Sequence, residues 1–237
     1  MQIPPKCFLL AALAIPAFAD VIGFYGGDFD PSGNNLTNAT TALINGSPTG
    51  ISLYQAFVVP TGGWTVTELF SNNVMGFTPV SAYWEIRSGV SSGNGGTLLY
   101  SGTDTTPGLA ATGRSLFQFP EWTVSVTGLS LALAPGTYWV TVTPQDPTTN
   151  ERSFMTATYG ANAIGPVPQD VVYINSATLS LNFENANDVL PMPALSYGVY
   201  ISAPGSVPEP VGVSFLLLGA TGLAASVRRR FRRPFVE

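Results

Sequence analysis

Between residues 51 and 201 apolar and polar positions alternate in short runs, rich in aromatic and β-branched residues and separated by turns containing Pro or Gly. The first runs cover 51–59, 64–70 and 80–87. In Ser81-Ala82-Tyr83-Trp84-Glu85-Ile86-Arg87 the period is two, so Ala82, Trp84 and Ile86 face a core while Tyr83, Glu85 and Arg87 face out, as in a half-buried antiparallel strand. Glu85 and Arg87 then share a face, where a surface ion pair contributes only about 0–1 kcal/mol. Further runs fall at 97–101, 115–119, 122–127 and 129–133. After the turn Ala134-Pro135-Gly136 comes a strand whose Tyr138, Val140 and Val142 point inward, and then runs at 152–159, 171–174, 180–183 and 196–201. No long helical period interrupts them. The pattern predicts an all-β fold: an antiparallel β-sandwich, jelly-roll-like, of roughly ten to twelve strands. Residues 26–35 predict a turn-rich loop leading to the first strands, and glycine-rich 88–96 a flexible connection.

The two ends of the chain break this pattern. At the N-terminus Lys6 supplies a positive charge, 8–15 an apolar stretch too short to span a membrane, and Ala17-Phe18-Ala19 an A-x-A cleavage site before Asp20. Residues 1–19 are therefore expected to be a secretory signal peptide cut by signal peptidase. The β-domain is expected to fill 20–206. At the C-terminus Val207-Pro208-Glu209-Pro210 precedes the uncharged run 211–227 and then Arg228, Arg229, Arg230, Arg232 and Arg233. Seventeen apolar residues make a helix of roughly 25 Å, at the short end for a bilayer core. The arginines predict that the tail, 228–237, stays on the cytoplasmic side of the membrane.

This order of motif, apolar helix and arginine cluster resembles the PEP-CTERM sorting signal of Gram-negative bacteria. The resemblance implies that Val207, Pro208, Glu209 and Pro210 are recognised by an exosortase, a membrane-embedded transpeptidase-like enzyme, and that the helix and basic tail are removed. The two prolines suit that role, because each fixes φ near about −65° and blocks helix and sheet, leaving an extended grip. The stretch 83–89, with 93–102 and 133–139, is similar to the ectodomains of many PEP-CTERM proteins, which implies a β-sandwich more than an activity. Residence in the bacterial inner membrane is then temporary, with the cell surface or the extracellular matrix as destination; permanent retention by 211–227 is the other outcome.

Composition narrows the chemistry. The one cysteine, Cys7, leaves with the signal peptide, and histidine is absent. Disulfides, thiol nucleophiles, imidazole-based triads and histidine-ligated zinc are thus excluded from the mature chain. No cofactor and no metal site are expected. Residues 20–210 hold three basic and thirteen acidic side chains, a net charge of −10. That charge argues against nucleic acid as a partner, which needs clustered Lys and Arg.

Several residues invite specific chemistry. Asp28 and Asp30 precede a glycine as in a calcium loop, but Ala39 stands where an EF-hand has its bidentate glutamate, so Asx-turns are the competing reading. The sequons beginning at Asn35, Asn38 and Asn45 fit N-glycosylation, weakly so in a bacterial protein. Acidic pairs such as Glu184 with Asp188 could serve a glycosidase only at a suitable separation. Trp64 and Trp122 sit near strand starts, where an exposed ring could stack on a sugar, against the usual fate of strand aromatics in a core. The expected function is a non-enzymatic, exported surface or matrix protein associated with exopolysaccharide or biofilm. The alternative is a sugar-binding, less readily a sugar-cleaving, sandwich using the same export route.

Overall fold

Where the sequence alternates, the chain forms strands, and these pair into two large antiparallel sheets. The computed structural model describes residues 20–202 apart from 33–34, 39–42, 45–46, 49, 147–150, 169–170 and 191–193. In the first sheet β1 (Asp20–Tyr25), β18 (Tyr197–Ser202), β6 (Trp64–Met75), β10 (Phe119–Val126) and β9 (Gly108–Leu116) lie side by side in that order. The short strands β2 (Leu36–Thr37), β11 (Leu131–Leu133) and β13 (Ser153–Met155) extend it. The second sheet runs β16 (Leu181–Asn185), β15 (Val172–Ser176), β5 (Ser52–Val59), β12 (Gly136–Gln145), β7 (Ser81–Ser88) and β8 (Thr97–Asp104). Two small ladders remain, β3 (Leu43–Ile44) with β4 (Ser47–Pro48) and β14 (Ala157–Thr158) with β17 (Ala194–Leu195). Among the described residues no helix is long and apolar enough to cross a membrane. The apolar run 211–227 lies outside them.

The two sheets share one apolar core, the arrangement of a β-sandwich. Leu53, Phe57, Ile86, Val140 and Val142 of the second sheet meet Val66, Leu69, Val124 and Val199 of the first. Each such side chain stabilises the fold by roughly 1.5–3 kcal/mol through burial alone. The expected inward positions Ala82, Trp84, Ile86, Tyr138, Val140 and Val142 all belong to this core. A polar seam crosses it. Asn38, fully buried, donates through Nδ2 to the Val142 carbonyl at 3.0 Å, and its Oδ1 accepts from Thr143 Oγ1 at 3.1 Å. Tyr197 donates to the Leu53 carbonyl at 2.8 Å. Asn38 therefore ties the sheets together, and the sequon that begins there is not a surface acceptor.

One outer face is closed and the other open. On the second sheet, Tyr54, Ala56, Trp139 and Phe183 form a smaller core with Val90. The segment 88–96, expected to be flexible, is held there: Gly93 N–H donates to Phe183 O at 3.3 Å, and Asn182 Nδ2 to Gly93 O at 2.8 Å. Beneath it Glu85 accepts from Tyr54 OH at 2.8 Å, from Tyr83 OH and from Arg87 Nε. The Arg87 guanidinium lies 5.0 Å from the Phe183 ring centroid. The shared face of Glu85 and Arg87 is as expected, but the pair is buried, Glu85 being 5% exposed, because Phe183 and Tyr54 cover it.

Two strands were not legible as such. β1 starts at Asp20, directly after the expected cleavage site, and β9 is an Ala/Gly-rich, exposed strand with no apolar period. The run 115–119 is not one strand but the tip of the β9–β10 hairpin, joining the end of β9 to the start of β10: Phe117 and Gln118 both have positive φ (49° and 69°), as a two-residue hairpin turn demands.

Candidate functional site

The open outer face of the first sheet is built by alternation. In β6, Leu69, Ser71 and Asn73 turn toward the second sheet while Glu68, Phe70 and Asn72 turn outward; in β10, Val124 and Val126 turn inward while Thr123 and Ser125 turn outward. Cross-strand register sets Phe70 opposite both Gly198 and Ser125, Asn72 opposite Thr123, and Glu68 opposite Tyr200. Gly198 makes room for the Phe70 ring, since a Cβ there would lie 2.0 Å from two of its carbons. Phe70 consequently lies low in the face, 6% exposed, with its centroid 5.7 Å from Tyr25 and 5.7 Å from Tyr200. The result is an open cleft of about 430 Å³ crossing all five strands, with Phe70 among its aromatics and Tyr25, Tyr200, Glu68, Thr123, Ser125 and Arg114 around it.

Hydrogen bonds fix the polar side of this cleft. Asn72 donates through Nδ2 to Tyr25 OH at 3.2 Å and to Ser196 Oγ at 2.8 Å, and accepts from Thr123 Oγ1 at 2.7 Å. Tyr25 OH donates to Asp28 Oδ1 at 2.9 Å. Burial, aided by Asp28, pushes the Tyr25 phenol up to about 12. Arg114 donates through Nε to Glu121 Oε2 at 2.6 Å and pairs through a terminal nitrogen with Asp28 at 3.1 Å. Glu121 is fully buried; its Oε2 also accepts from Thr112 Oγ1 at 2.6 Å, while Oε1 finds no partner among the described residues. Asp28 is held below the usual carboxylate range: partial burial opposes this, but hydrogen bonds from Asn162 and Tyr25 and the Arg114 charge outweigh it. Across the cleft burial raises the Glu68 carboxyl, against a lowering hydrogen bond from Ser125 and with help from the Asp20 charge.

The sequence-derived candidates fall elsewhere. Ala17, Ala19, Val207, Pro208, Glu209, Pro210 and the five tail arginines lie outside the described residues; Asp20 opens β1 opposite Ser202. Trp64 and Trp122 are half-buried and pack against the core, the usual fate of strand aromatics that competed with the sugar-stacking reading. Trp64 stacks on Phe57 at 6.0 Å and 6°, and Trp122 shares the inward face of β10 with Val124. Neither lines the cleft. Asp30 forms an Asx-turn, accepting from Ser32 N–H at 2.8 Å and Ser32 Oγ at 2.6 Å, while Asp28 is engaged by Arg114, Tyr25 and Asn162. Among the described residues no three His, Cys, Asp or Glu side chains group to hold a metal ion.

Tyr25, Phe70 and Tyr200 went unnoticed in the sequence for a physical reason. They come from β1, β6 and β18, far apart in the chain, and β6 is buried on both faces over its second half, which erases the period of two. A second, apolar cavity of about 390 Å³ lies by the hairpin tip, lined by Val74, Leu116, Phe117, Phe119 and Phe154. No protein-family model, curated protein or solved structure matches this chain.

Proposed function

We propose that this is an exported, non-enzymatic surface or extracellular-matrix protein, sorted through its Pro208-Glu209-Pro210 motif by an exosortase, whose β-domain holds polysaccharide in the cleft of its first sheet. The observation that carries the binding role is the cleft itself, where rings at 5.7 Å spacing are bordered by hydroxyls, a carboxylate and a guanidinium. Sugar rings present apolar C–H faces and a hydroxyl rim, so they call for aromatic surface next to groups that both donate and accept. A cleft of this size, largely preformed, suits a small segment of glycan. Glu68 is the one carboxylate among its lining residues, whereas glycoside hydrolysis uses a pair flanking the bond; that supports binding over cleavage.

The fold reading can be taken one step further. Eight strands in chain order, β1, β5, β6, β7, β8, β10, β12 and β18, distribute so that the first, eighth, third and sixth are neighbours in one sheet and the second, seventh, fourth and fifth in the other. That order supports a jelly roll.

Affinity electrophoresis through the organism's own extracellular polysaccharide tests the binding role. Retardation of the wild type that Tyr200→Ala relieves and Trp64→Ala leaves in place is the expected outcome; equal mobility of wild type and Tyr200→Ala refutes the cleft. The sorting claim is tested by intact mass in each cell fraction. The mature form is expected to lack 1–19 and the C-terminal helix, and a full-length C-terminus in wild-type cells would contradict it.

A further inference from the structure

We infer that the cleft of the first sheet takes an uncharged saccharide and turns away uronate-rich polymers, an inference that rests on the glycan-binding reading above. Among the described residues the only cation lining the cleft is Arg114, and it is already paired with two carboxylates. Its Nε is bound by Glu121 at 2.6 Å and a terminal nitrogen faces Asp28 at 3.1 Å, so two carboxylates share one guanidinium and the trio is net negative. Glu121 is fully buried, and among the described residues its second oxygen has no donor. On the opposite side stands Glu68, with Asp20 close enough to influence its carboxyl.

A polymer carboxylate entering this space would meet Glu68, and at Arg114 it would find a guanidinium whose charge is already shared between Glu121 and Asp28. Like charges brought together in a partly desolvated site cost several kcal/mol, which a hydroxyl does not incur. The remaining groups suit a neutral ring. Tyr200 and the exposed edge of Phe70 offer apolar surface; the Tyr200 hydroxyl can donate or accept, while the Thr123 and Ser125 hydroxyls, which donate to Asn72 and Glu68, can accept. The net charge of −10 over 20–210 adds a long-range repulsion of the same sign, felt most at low salt.

The test is calorimetric titration of the full exported protein with three probes: cellohexaose, mannohexaose and hexagalacturonate. Binding of at least one neutral hexamer, weakened about tenfold by Tyr200→Ala, with hexagalacturonate at least about tenfold weaker still, is the expected result. Neutral binding should be the same at low and high salt. In Glu68→Gln the ratio of uronate to neutral affinity should rise by up to about fivefold, while its thermal unfolding reports whether the fold is kept. Hexagalacturonate binding more tightly than both neutral hexamers would overturn the inference and leave the glycan-binding reading standing. Binding of none of the three would overturn that reading, and the inference with it.

Discussion

Arg87 and Glu85 show how much one covering side chain changes a residue's role. Under Phe183 and Tyr54 the pair is desolvated, and removing one partner of a buried pair strands the other's charge. Arg87→Leu, which strands the Glu85 carboxylate, is expected to cost roughly 3 kcal/mol by urea unfolding, and more than Glu85→Gln, which strands the better exposed Arg87 guanidinium (side chain 17% exposed against 7% for Glu85); a loss under about 1 kcal/mol for Arg87→Leu would mean the pair behaves as a surface bridge. Two carboxylates at the cleft should respond to pH with opposite signs. Asp28 is lowered in the folded state, so it stabilises above the ordinary carboxylate pKa and that contribution fades as pH falls through its folded value. Glu68 is raised, chiefly by burial, so the folded state binds its proton more readily than the unfolded one and stability declines as pH rises from the ordinary carboxylate pKa through the folded value. Near neutral pH, Asp28→Asn is therefore expected to lower the urea midpoint and Glu68→Gln to raise it, both differences shrinking in acid. Midpoint shifts of the same sign would contradict the cleft electrostatics described above.

Among the elements, β6 and β18 decide the shape of the cleft, because Phe70 can lie flat only where β18 has no Cβ. Gly198→Ala is expected to push the Phe70 ring off β18 at a cost of about 1–3 kcal/mol, and to weaken glycan binding as well, since the rings flanking Phe70 move with it. Full thermal stability in Gly198→Ala would show that the ring has room elsewhere. The same strands mark what a sequence can and cannot say. The strand β7 was legible residue by residue, because one of its faces is core and the next neighbour in sequence is not. The alternation of β6 vanishes after Glu68, since Phe70 and Asn72 on the cleft side are buried, as Leu69 and Ser71 are on the other. β9 carried no signal because an exposed edge strand needs no apolar residues.

At the scale of the whole molecule, the sandwich was legible and its open face was not. Ten or so alternating runs predict two sheets, but the choice of open face depends on which sheet the β15–β16 hairpin and the segment 88–96 cover, and those contacts join residues nearly ninety positions apart. For the same reason the sequence left Trp64 and Trp122 open between a core role and a sugar platform, whereas the register turns them toward the core and brings Tyr25, Phe70 and Tyr200 together outside. The central claim is that glycan meets the protein on this face of the first sheet. NMR titration of the isotope-labelled exported protein with its own polysaccharide, fragmented to oligomers, tests it directly. The account predicts amide shift changes centred on Tyr25, Phe70, Thr123 and Tyr200. Changes centred on the second sheet, or an unchanged spectrum at saturating oligomer, would contradict it.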